Sequence, residues 1–166
     1  MLTSQPIKDF VATARAYCTF IETDQGHNPR QFLRTVQKDL LMLYRFGLDL
    51  PQIEAPGEVD MSHTDDKIHL DRVLRLIRDR VPVKSYWVTL TPLDFVNPTE
   101  IGTGDLVDDL GDIYLDLKRG LVLFDTSDTL AREYAVWYFR FHYTHHWGQH
   151  CIDALQIIHH SLNSHA

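Results

Sequence analysis

The sequence predicts an all-α fold: a single compact helical bundle of about five helices filling residues 1–166 as one domain, with a long connector between the second helix and the fourth. Three observations point that way. Apolar residues recur at steps of three and four through several long stretches, the spacing of a buried helical stripe. Cap and breaker residues fall between those stretches rather than inside them. One short segment alternates apolar with polar residues, and no second segment reads as its partner strand. A chain of 166 residues with 44% hydrophobic side chains can bury a core without covalent staples.

The first helix begins after Ser4, tolerates Pro6 in its opening turn, and lines up Ile7, Phe10, Val11, Ala14, Tyr17 and Ile21. It ends near Asp24–Gly26. Asn28 then caps a second helix, Pro29 suits its first position, and Gln31 can close a capping box. Phe32, Val36, Leu40, Leu43 and Phe46 form its inward stripe, and Gly47 ends it. Pro51, Pro56 and Gly57 make residues 51–63 a loop. A shorter helix, about Asp66 to Arg80, buries Leu70, Val73, Leu74 and Ile77 before Pro82 stops it. Its Arg72, Arg75, Arg78 and Arg80, with Lys84 beyond, interleave with Asp71 and Asp79, which reads as a solvated mixed-charge face.

Between Ser85 and Thr91, Tyr86, Val88 and Leu90 alternate with Trp87 and Thr89. Without a partner, this stretch is expected to be an ordered connector that lays aromatic side chains across the helices. The fourth helix, from about Gly104 to Phe124, carries Leu106, Leu110, Ile113, Leu117, Leu121 and Phe124. After the cap cluster Asp125–Asp128, a fifth helix runs to about Leu162 and would span about 50 Å. Gly148 inside it would permit a close helix crossing or mark a bend.

A net charge of −7 argues against non-specific nucleic-acid binding, which needs a cationic surface. No stretch has the apolar length of a signal peptide or a membrane span, so a cytoplasmic location is the default expectation and membrane partners are not expected. Cys18 and Cys151 sit in apolar helical patterns outside any CxxC arrangement and suit buried, reduced thiols. Trp137, Tyr138, Phe139, Phe141, Tyr143 and Trp147 nearly encircle the fifth helix. That helix is therefore central to the core or meets another subunit, so a homo-oligomer or protein partner is expected.

The chemistry concentrates in two ridges. His142, His146 and His150 are spaced by four, and on a helix they share a face. Asp109, Asp112 and Asp116 make a matching line on the fourth helix, flanked by Asp105 and Asp108. Aspartate is a poor mid-helix residue, and Asp112 and Asp116 lie too far from the helix start to be caps. The ordinary reading is an acidic surface paired to Arg119 or to an arginine of another helix. The alternatives are a buried Asp–His–Tyr network and a divalent metal centre. Imidazole is a common transition-metal ligand, and two histidines with one or two carboxylates leave a coordination position open. The candidate metal residues are Asp109, Asp112, His142, His146 and His150. Asp153 could join them or hold a ring tautomer; His159, His160 and His165 are expected at the periphery.

Two resemblances follow from these residues. Asp108-Asp109-Leu110-Gly111-Asp112 resembles the E-E-L-G-D segment of the MazG-like all-α nucleotide pyrophosphohydrolases. That likeness implies magnesium held by acidic helices, with Asp109 and Asp112 as the second acidic pair. The E-x-x-E of the first pair is missing: Glu22 with Asp24, and Glu54 with Glu58, have the wrong spacing. The wider pattern includes Phe10-x-x-x-Ala14-Arg15-x-Tyr17-Cys18, Asp108-Asp109-Leu110-x-Asp112-Ile113-Tyr114-x-Asp116-Leu117-Lys118, and His146-Trp147-Gly148-x-His150-x-x-Asp153-Ala154-Leu155. This pattern is similar to a bacterial all-helical family catalogued as a domain of unknown function. The resemblance implies an all-helical domain in which the acidic motif and the His-Trp-Gly motif belong together. It carries no activity or cofactor.

The expected function is accordingly that of a small cytosolic helical protein whose acidic/histidine cleft serves a binding or regulatory role. The alternative is a metal-dependent hydrolase of a phosphate ester or nucleotide, with Asp112 or a neighbouring carboxylate as general base to metal-bound water.

Overall fold

The computed structural model describes residues 2–23, 26, 28–90, 92–97 and 100–164. The predicted helix end near Asp24, the strand end at Thr91, and His165 fall outside them. Helix α1 (Gln5–Glu22) buries Ile7, Phe10, Val11, Ala14, Tyr17, Cys18 and Ile21, the expected stripe with Cys18 added. Helix α2 (Pro29–Leu48) starts at Asn28, whose side chain accepts from the Gln31 backbone N–H at 2.9 Å. A one-turn helix α3 (Ser62–Asp65) interrupts the long connector. Helix α4 (Leu70–Arg80) buries Val73, Ile77 and Arg80.

Arg80 departs from the expected solvated face. Its guanidinium donates to the carbonyls of Ile21 at 2.6 Å and Thr23 at 3.2 Å, and its carbon lies 4.5 Å from the Phe32 ring centroid. It therefore satisfies carbonyls left open at the end of α1. Arg72, Arg75 and Arg78 are exposed, as expected.

Strands β1 (Ser85–Thr89) and β2 (Ile101–Asp105) form an antiparallel hairpin in which Tyr86 faces Gly104 and Val88 faces Gly102. The expectation of an unpaired connector is thus overturned. Glycine at two of five positions hides β2 from a propensity reading. The structure uses the second of them directly, because a Cβ at Gly104 would overlap the Tyr86 ring.

Helix α5 (Leu106–Phe124) begins where β2 ends, its first turn capped by Asp105 accepting from the Val107 N–H at 2.7 Å. It packs against α1, α4, α6 and α7 and is the central element. Helices α6 (Thr129–His145) and α7 (Trp147–Asn163) take the place of the predicted fifth helix. The break is at His146, with φ −146° and ψ −89°. Gly148 marks a bend, since a Cβ there would overlap the Tyr143 carbonyl oxygen. The bundle therefore contains seven helices and a two-stranded sheet among the described residues, not about five helices alone. The chain bends at His146 but keeps its direction along α5, so that Phe139 lies against Gly120, His142 and His146 against Asp116, and His150 against Asp109. Phe10, Phe139, Trp147, Leu40 and Ile113 meet in the shared core. Cys18 and Cys151 are buried free thiols, as expected, and no described helix is long and apolar enough to cross a membrane.

Candidate metal centre

The two ridges meet. One line of α5 faces the junction of α6 and α7, and imidazole and carboxylate groups interlock along it. The His146 N–H still bonds the His142 carbonyl at 2.9 Å, so one helical turn survives across the break. That turn keeps the histidines neighbours, with ring centroids 6.1 Å apart for His142/His146 and 4.9 Å apart for His146/His150.

Asp116 is 3% exposed and accepts from three sides. Its Oδ2 lies 3.1 Å from His142 Nδ1 and 2.7 Å from His146 Nδ1, while its Oδ1 takes the Tyr138 O–H at 3.3 Å. Burial alone would raise this carboxyl; the hydrogen bonds from His142 and His146 outweigh it and hold Asp116 below the usual carboxylate range. Asp109, 5% exposed, is placed likewise at the start of the line. It pairs with His150 Nδ1 at 2.8 Å and accepts the Tyr86 hydroxyl from the hairpin. The Asp109 hydrogen bond raises the His150 imidazole against the opposing pull of burial.

Asp112, between them, differs. It accepts no hydrogen bond from a described side chain, and its Oδ2 stands 3.5 Å from His150 Nε2. Burial and then the charge of Asp108 push its carboxyl up. Asp112, His146 and His150 each place one ligand-type atom within 4.8 Å of the others; Asp116, His142 and His146 form a second such group. Of the five residues proposed from sequence, Asp112, His146 and His150 fall in the first group and His142 in the second, while Asp109 falls in neither and pairs with His150. Asp153 neither joins them nor orients His150, since its carboxylate accepts from Gln149 at 3.0 Å. Arg119, the expected partner of the acidic ridge, pairs with Asp65 at 2.7 Å instead. Glu22 is engaged by Tyr114 and Lys118 and does not supply the missing first acidic pair.

The sequence from residue 2 to 164 matches the family model described as Domain of unknown function (DUF5063). The chain belongs to that family. No curated protein matches it. In three dimensions this DUF5063 chain is similar to protein BF1032 from Bacteroides fragilis, whose crystal structure aligns with a TM-score of 0.82. The two share 19% identity over 99% of this chain and 97% of that one, a likeness that carries the fold.

Three residues of this cluster lie outside the set proposed from sequence. Asp116 stood on the recognised acidic line, and its mid-helix position was the available signal. Tyr138, four residues before His142, was read as part of the aromatic girdle. Tyr86 had no sequence signal, because its reach to Asp109 depends on the pairing of β1 with β2.

Proposed function

We propose that this protein binds a divalent transition metal through Asp112, His146 and His150. One observation carries the reading: these three residues bring their ligand atoms within 4.8 Å of one another. Supporting it, buried carboxylates engage Nδ1 of both rings from the opposite side. A histidine that donates Nδ1–H to a carboxylate has its other nitrogen, Nε2, free as a lone-pair donor, the arrangement seen behind many metal-bound imidazoles. Asp109 and Asp116 are on this reading positioning residues, and Asp112 is the carboxylate ligand. Two imidazoles and one carboxylate suit zinc, iron(II) or manganese(II) better than magnesium, and they leave coordination positions open to solvent or a ligand. Such a site matches the binding role expected from sequence.

The test is zinc and iron content by elemental analysis of protein purified without an affinity tag, followed by zinc titration of the chelator-stripped protein. One ion per chain is expected, lost in a His146→Ala/His150→Ala double variant that keeps its helical circular dichroism. Parent protein that binds zinc no more tightly than this double variant would sink the reading.

A further inference from the structure

Beside the centre, under the hairpin, lies a cavity of about 500 Å³. We propose that it binds a small cationic organic molecule: a primary amine carried on a short apolar chain. The two walls of the cavity differ in chemistry. Tyr86, Val88, Leu90 and Pro92 form a largely apolar side contributed by the hairpin and its loop. Asp108 and Asp153 stand among its polar lining, with His150 beside them, and among the described residues neither lysine nor arginine lines it.

Two further aspartates of the lining are already engaged. Asp105 caps α5, and Asp109 accepts from Tyr86 and His150. Asp108 is exposed and accepts from no described group, while Asp153 has one oxygen taken by Gln149 and the other unclaimed. Positive charge at this wall comes from the α5 N-terminus, about half a charge, and from His150, whose Nδ1 is already paired with Asp109, against the carboxylates of Asp105, Asp108 and Asp153. A phosphate or carboxylate head entering here meets like charge in a partly desolvated space. An ammonium head meets its complement, and its hydrocarbon body covers Val88 and Leu90. Charge thus selects an amine where the local MazG-like similarity would suggest a nucleotide.

The inference goes beyond the metal reading and does not need it, since only His150 of the three proposed ligands lines the cavity. The experiment titrates 1-aminohexane, hexanoate and inorganic phosphate separately into zinc-free and zinc-treated protein while backbone amide shifts are followed by NMR. The amine should move the amides of Val88, Leu90, Asp108 and Asp153 saturably, and the two anions should not. Asp108→Asn and Asp153→Asn should each weaken the amine about tenfold and leave zinc content per chain unchanged. Asp108 is exposed, so its variant keeps the test valid even if the Asp153 variant folds poorly. Unmoved amides with the amine, or equal shifts with hexanoate, would overturn the inference whatever zinc does. Loss of zinc binding alone would count against the metal reading and leave the amine result standing.

Discussion

Replacing Asp116 by asparagine tests whether a carboxylate behind the rings prepares the centre. The side chain is 3% exposed and accepts His142 at 3.1 Å, His146 at 2.7 Å and Tyr138 at 3.3 Å. Asparagine keeps the shape but removes the charge and turns one acceptor oxygen into a donor. Three incoming groups then compete for one oxygen, and His146 loses a charge-assisted bond. Loss of a group that orients a ligating histidine lowers metal affinity about 10–100-fold, or about 1.4–2.7 kcal/mol. Leaving a buried donor without its acceptor costs the metal-free fold about 1–3 kcal/mol more. The assay is zinc competition against a chromophoric chelator at pH 7, with Asp112→Asn as the direct-ligand comparison and thermal unfolding of the stripped proteins alongside. Asp112→Asn should lose more zinc affinity than Asp116→Asn and less stability. The linkage sign is fixed by the depressed Asp116 carboxyl: its contribution is present above the ordinary carboxylate pKa and lost as pH falls through the folded value. The stability gap between parent and Asp116→Asn should therefore close in acid. An Asp116→Asn protein that holds zinc as tightly as the parent, while Asp112→Asn does not, would refute the reasoning.

Three further outcomes follow from the same contacts. The Asp109 bond raises His150, so that pair stabilises the fold below pH about 6.5 and loses its contribution as pH rises through the folded value. Asp109→Asn should accordingly destabilise the metal-free protein more at pH 6 than at pH 8 in urea titrations, and the His150 ring should titrate nearer its ordinary value by NMR; equal losses at both pH values would contradict this. Arg80→Met keeps an aliphatic stem but strips the donors from the Ile21 and Thr23 carbonyls, and should cost about 3 kcal/mol in urea unfolding. Gly148→Ala sets a methyl against the Tyr143 carbonyl oxygen and should cost about 2 kcal/mol, seen as a fall of about 6 °C in Tm.

The legible parts of this protein were those written in local spacing. The apolar stripes of α1 and α2, the caps at Asn28 and Asp128, and the acidic and imidazole ridges all rest on residues a few positions apart. The illegible parts depend on what the chain meets far away. The strand Ile101–Asp105 contains two glycines, and it becomes a strand because Tyr86 and Leu90 need the space those glycines leave. Arg80 looks like its exposed neighbours until the end of α1 arrives with carbonyls to satisfy. The break at His146 shows the same limit. Gly148 in the sequence allows a crossing or a bend, and only the approach of the Tyr143 carbonyl decides for the bend.

The pairing along α5 bears on why the proposed ion position falls to Asp112. Along α5 the aspartates come in the order 109, 112, 116, whereas their imidazole partners come in reverse, His150 on Asp109 and then His146 and His142 on Asp116. The two lines therefore run in opposite directions, with three carboxylates meeting three rings. Were each ring matched to its own carboxylate, the ladder would be a closed ion-pair network with nothing to spare. Instead Asp116 takes two rings on one oxygen, and Asp109 takes the third together with Tyr86. The middle carboxylate is left without an imidazole donor on either oxygen, 3.5 Å from His150 Nε2 and within reach of His146. Asp112 is also the one of the three that reaches solvent, its side chain 32% exposed against 7% for Asp109 and 3% for Asp116, so an incoming ion has access to it. A cation placed there stabilises the charged form of Asp112 and gives the free imidazole nitrogens a partner, which makes the mismatch intelligible as a ligand position.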